Sequence, residues 1–142
     1  MPHADLAARI LHAITEHPEH YDQGHWFNGV DTLHPGDQLT DGALDCGTTL
    51  CIAGYASHLT GHTLTLTDAT HDEGVAARKP GHPPTPVFEA ARTELQLTED
   101  DAAWLFWGAR TPAQARAALQ QLAAGAHRID QSSTARAFPT LP

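Results

Sequence analysis

Leu6, Ile10 and Ile14 recur every four residues with Leu11 beside them, and this spacing predicts a helix over residues 4–16 with one apolar stripe. Pro18 stops it, because the residue before a proline is pushed out of the α region. Residues 18–23 leave room for one more turn. From 24 to 47 no period survives, and Gly24, Gly29, Pro35, Gly36, Gly42 and Gly47 punctuate the stretch. It reads as a long loop, of a kind that in a small domain is functional or poorly ordered. Trp26 and Phe27 are placed to anchor its start.

Periodicity returns at Thr48, read as the N-cap of a helix running to about Leu59, with Gly61 as its C-terminal cap. Cys51 then occupies the third helical position. Thr63-Leu64-Thr65-Leu66-Thr67 alternates cleanly and predicts a half-buried strand, whose partner is expected between Trp26 and Leu33. Residues 68–84 read as loop. Three further helices each open on a threonine. Thr85 precedes Pro86 and an apolar face of Val87, Phe88, Ala91 and Leu95. Thr98 precedes Glu99, Asp100 and Asp101, acids placed at the positive end of the helix dipole. Thr111-Pro112-Ala113-Gln114 resembles a capping box before Ala115, Ala118, Leu119 and Leu122. Phe88, Trp104, Leu105, Phe106 and Trp107 are expected in or near the core.

The expected fold is therefore mainly α: a single small domain of about five helices over residues 1–125, with at most one short β-hairpin. A loosely held tail over 126–142 follows. The length of 142 residues suits one domain. The net charge of -9, from 17 acidic against 8 basic residues, argues against a broad nucleic-acid-binding face. No apolar run reaches the roughly 18 residues of a membrane span, and no leader pattern is visible, so a cytoplasmic setting is expected.

The candidate chemistry starts with the two cysteines. At the third position of a helix the Cys51 thiol would face unpaired amides and the positive dipole end, which favours a thiolate. Cys46 lies just upstream. Four readings stay open for the pair: small buried hydrophobes, a nucleophile, a redox couple and a metal site. A nucleophilic Cys51 needs a base, and the candidates are His62, which begins the expected strand, and His71, followed by Asp72 in the loop after it. That order is papain-like, but too little strand follows to match the cell-wall peptidases built that way. Cys46, Cys51, His58 and His62 have zinc-ligand identities, yet Cys51 and His58 would stand about 10 Å apart along one helix. No metal or cofactor is expected.

Charge supplies the other candidate. Between Arg9 and Arg78 there is no lysine or arginine, while Glu16, Glu19, Asp22, Asp31, Asp37, Asp41, Asp45, Asp68, Asp72 and Glu73 fall in that span. One reading is a solvated surface. The other is an acidic face for a basic protein partner, with Asp31, Asp37, Asp41, Asp45 and Trp26 as its binding residues. The two helices at 98–107 and 111–124 have helix-turn-helix spacing, but the second carries only Arg116 as a cation, so direct nucleic-acid binding is not expected.

Cys46-Gly47-Thr48-Thr49-Leu50-Cys51-Ile52-Ala53-Gly54 resembles a CGTxxCxAG element in a family of small, uncharacterised proteins of bacteriophages and bacteria. The resemblance covers most of residues 20–125, with Trp26 upstream and Glu94–Leu97 through Leu105-Phe106 downstream. It implies a mobile-element or accessory role and no particular activity or cofactor. The leading expectation is a small acidic binding protein acting through its acidic face and the Cys46–Cys51 segment. The alternative is a cysteine-dependent hydrolase or transferase with Cys51 as nucleophile and His62 or His71 as base.

Overall fold

A computed structural model describes residues 2–22, 27–28, 32–40, 48–66, 75–108 and 111–131. In chain order these form α1 (Ala4–Glu16), a three-ten turn (Pro18–His20), β1 (Phe27–Asn28), β2 (Thr32–Leu33), β3 (Thr49–Leu50), α2 (Ile52–Leu59), β4 (Thr63–Leu66), β5 (Val75–Arg78), β6 (Thr85–Pro86), α3 (Val87–Leu95), α4 (Glu99–Ala103), a π-helical turn (Trp104–Gly108) and α5 (Pro112–Ala123).

The fold is α+β, which corrects the mainly α expectation. The described residues carry a four-stranded antiparallel sheet in the order β2-β4-β5-β6 and a separate antiparallel pair, β1-β3. β4 finds its partner in the expected stretch, with Thr32 opposite Thr65 and Leu33 opposite Leu64. Its other edge pairs with β5, setting Leu64 against Ala77 and Leu66 against Val75. β5 in turn pairs with β6, where Pro86 sits on the outer edge and needs to donate no ladder bond. Leu33, Leu64 and Ala77 thus form one buried row across three strands. The hairpin reading failed because β5 is Val-Ala-Ala-Arg, a sequence with weak β propensity that relies on the row it completes.

The helices pack where their stripes predict. α1 buries Leu6, Ala7, Ile10 and Ile14, mainly against α5, whose small residues Ala115 and Ala118 let the two approach closely beside Leu119 and Leu122. His3 caps α1, its Nδ1 accepting from the Leu6 amide at 2.9 Å. Thr98 and Thr111 cap α4 and α5 as expected, accepting from Asp101 and Gln114 amides at 3.2 and 3.1 Å. α2 is buried nearly all round and contacts α1, α3 and β4, so it is the centre of the molecule. Phe88 and Phe106 meet edge to face at 5.7 Å, and Leu105 is buried beside them.

Beyond α5 the chain folds back as far as residue 131. Ile129 is buried, its amide donates to Asp101 Oδ2 at 3.1 Å, and Arg128 Nε donates to the same oxygen at 2.9 Å. Residues 132–142 lie outside the described residues.

α3 ends on Gln96 in the left-handed conformation, at φ 57° and ψ 45°. A side chain there is strained and glycine is not. Gln96→Gly is therefore expected to raise unfolding free energy by about 0.5–1 kcal/mol in chemical denaturation. An unchanged or lower value would mean that the Gln96 side chain contributes contacts that offset the strain.

Candidate functional site

The site is built around Cys51. The sequence placed the start of α2 at Thr48, but Leu50 pairs with Phe27 and Thr49 with Asn28, so extended backbone continues three residues further. Cys51 itself becomes the N-cap. Its φ of -83° and ψ of -176° are extended, and its Sγ accepts from the Gly54 amide at 3.4 Å. The helix end thus supplies donors to the sulfur, and the Gly54 and Ala53 amides favour the thiolate. Burial wins. With 2% of its surface exposed, Cys51 has its thiol pushed up to about 12, first by desolvation and further by the Asp22 carboxylate.

Neither His58 nor His62 stands in the role of a base for this sulfur. His62, the first candidate, opens onto β4 at the far end of α2, whose eight residues span about 12 Å. Its Nδ1–H donates to Ser57 O at 3.0 Å. His58 Nε2–H donates to Asp37 O at 2.8 Å, and His20 Nδ1–H donates to Thr48 O at 2.8 Å. In each case the partner is a carbonyl, which can only accept, so the ring nitrogen carries the hydrogen. These histidines staple backbone segments together. The structure brings neither His58 nor His62 to Cys51, and among the described residues no group of three His, Cys, Asp or Glu side chains is arranged to hold a metal. Trp26, Asp31, Asp41, Asp45, Cys46, His71 and Asp72 lie outside the described residues.

Tyr21 and Asp22, neighbours of Cys51, and Arg116, a neighbour of Tyr21, carry no signal in sequence spacing. Tyr21 bridges to Leu50 in parallel, and the Asp22 amide donates to Leu50 O at 3.1 Å. Burial pushes the Tyr21 hydroxyl upward, the Cys51 thiol adds to this, and the Arg116 guanidinium opposes it. Tyr21, Asp22, Cys51 and Arg116 therefore gather from three separate parts of the chain. Arg116 Nε is buried and has no hydrogen-bond partner among the described residues.

The buried histidines make stability pH-dependent. Burial holds both His58 and His62 below the ordinary histidine value. Hydrogen bonds to Asp37 and Ser57 and the Asp37 and Glu94 carboxylates pull them up, while Lys79 and His82 push His62 down. Because the folded values are depressed, the unfolded chain takes up protons first as pH falls. Their contribution is present above the unfolded value of about 6.5 and is lost below it. Tm is expected to fall between about pH 7 and pH 5, and His58→Gln should flatten that slope. A Tm that rises over this interval would contradict the burial of these rings.

Of the acidic candidates that are described, Asp22 lies by Cys51, while Glu16, Glu19 and Asp37 are at the surface. Glu19 is exposed and lies 3.3 Å from His17 Nδ1. Asp37 is fixed through its backbone by His58 and through its Oδ2, which accepts from the His34 amide at 2.9 Å. His17, His20, Asp37, Tyr55 and His58 line a recess of about 130 Å³ there, with Glu16 exposed at the end of α1 nearby. β1 to β4, α2 and the turns around them all come from the span that has no lysine or arginine. Of the cations that bound the span, Arg9 donates to Leu59 O at 3.4 Å, on the wall of this recess, and Arg78 and Lys79 come at the end of β5.

Among the described residues no helix is long and apolar enough to cross a membrane. Comparison of the chain with protein-family models, with curated proteins and with solved structures gives no match in any of the three.

Proposed function

We propose that this protein is a small cytoplasmic binding module that docks a basic protein partner on its acidic side, next to the segment leading into Cys51. The observation that carries the reading is that the described parts of the cation-free span pack around α2 and carry Glu16, Glu19 and Asp37 on their surface. Like charges gathered on one side steer an oppositely charged partner and raise its rate of encounter. Two further observations support binding over catalysis. Cys51 serves as a helix cap with its thiol held protonated, and the buried histidines His20, His58 and His62 are each bonded to a backbone carbonyl. The excess of acidic over basic residues supports a protein partner rather than a nucleic acid. The resemblance around Cys46–Cys51 to small phage and bacterial proteins extends the reading to an accessory role.

The test uses an arginine- and lysine-rich peptide as the probe. Changing Glu16→Gln, Glu19→Gln and Asp37→Asn together is expected to weaken its binding about tenfold or more, at unchanged circular dichroism. Equal binding by the variant would overturn the assignment of this face.

A further inference from the structure

We infer that the cleft between α3 and the turn after β5 is a binding site for a small zwitterion, of the size and charge pattern of a free α-amino acid. This site is separate from the acidic face and does not depend on it. The cleft encloses about 350 Å³. That is at the low end of the roughly 300–1,000 Å³ typical of small-molecule pockets, so its occupant is small.

Its rim is preformed. In Lys79-Pro80-Gly81-His82 the His82 amide donates to Lys79 O at 3.0 Å, and Gly81 has a φ of +81°. Proline second and glycine third are what a type II turn requires. Arg78 Nε donates to His82 O at 3.3 Å, and Pro83 and Pro84 restrict the chain that follows. A ligand would meet a wall whose ordering cost has been met in folding.

The charges in the cleft select the ligand. Lys79 and Glu94 satisfy each other, Nζ to Oε2, at 2.7 Å. Glu89 and Arg92, one turn apart on α3, both line the cleft, and neither has an ion-pair partner among the described residues. An unpaired carboxylate and an unpaired guanidinium on one wall are the complement of a molecule carrying one ammonium and one carboxylate. Arg92 offers a bidentate fork to the carboxylate, and Glu89 accepts from the ammonium. Ala77 and Ala90 leave a small apolar floor for a side chain. A polyphosphate fits poorly, because Glu89 and Glu94 cancel the two cations. A metal ion fits poorly too, since no group of three suitable ligands is present among the described residues.

The experiment is a titration of the whole, isotope-labelled protein followed by backbone amide shifts. The probes are L-alanine, L-leucine, L-glutamate and L-lysine, each taken to about 10 mM to reach the millimolar affinities of weak specific sites. At least one is expected to shift amides of residues 77–94 saturably. Its N-acetyl and its amide derivatives should each bind about tenfold more weakly, as should the parent ligand to Glu89→Gln and Arg92→Gln. The unperturbed remainder of each variant's spectrum shows that the fold is kept. No saturable shift with any of the four would overturn the assignment. So would equal binding of the N-acetyl derivative, or shifts in this region from phosphate or ATP alone.

Discussion

Cys51 in the native, reduced protein is expected to react with an alkylating agent at pH 8 about a thousandfold more slowly than an exposed thiol. Only the thiolate attacks, and burial pushes this thiol up to about 12. Mass mapping after timed labelling separates Cys51 from Cys46. In denaturant the protection should vanish, because its origin is the fold and not the neighbouring sequence. Cys51→Ser should keep the fold with little loss, since a serine oxygen caps a helix well. Cys51→Ala removes the acceptor for the Gly54 amide and should cost about 1 kcal/mol. Rapid native labelling of Cys51, with a midpoint below the usual thiol value of about 8.5, would restore the nucleophile reading.

Leu50→Ala is expected to lower unfolding free energy by about 3 kcal/mol, within the range of about 2–5 for such truncations. Leu50 is 0% exposed, pairs with Phe27 and bridges to Tyr21, so its removal opens a cavity where three segments meet. Against a total stability of about 5–15 kcal/mol this is a large fraction. The same substitution should speed alkylation of Cys51, because the strand that positions the cap is loosened. Leu11→Ala, at a half-buried site on α1, should cost clearly less. A loss below about 1 kcal/mol for Leu50→Ala would mean that the β1–β3 junction is not part of the cooperative core.

The sequence made the helices legible and the sheet largely illegible. α1 and α5 are written in single apolar stripes, and their limits follow from Pro18 and from Thr111-Pro112. β4 shows as Thr-Leu-Thr-Leu. β1, β2, β3 and β6 have two residues each, too few to express a period, and exist through partners distant in the chain. Thr48 has the local character of a cap, but pairing of Leu50 with Phe27 keeps the backbone extended past it. That shift of three residues changes the chemistry, since it moves Cys51 from inside the first turn to the cap. The helix-end effect on its thiol was legible. The burial that outweighs it was not, because Tyr21 and Asp22 come to the sulfur through tertiary structure. His62 was a reasonable base by sequence order, but α2 separates it from Cys51.

The central claim is an electrostatic binding face, and its most direct measurement is affinity for the basic peptide probe against ionic strength. Screening shortens the reach of charge from about 10 Å at 0.1 M to about 3 Å at 1 M salt. We expect binding at low salt that weakens about tenfold or more as salt rises from about 0.05 to about 0.5 M. Absence of binding at low salt, or an affinity indifferent to salt, would contradict it.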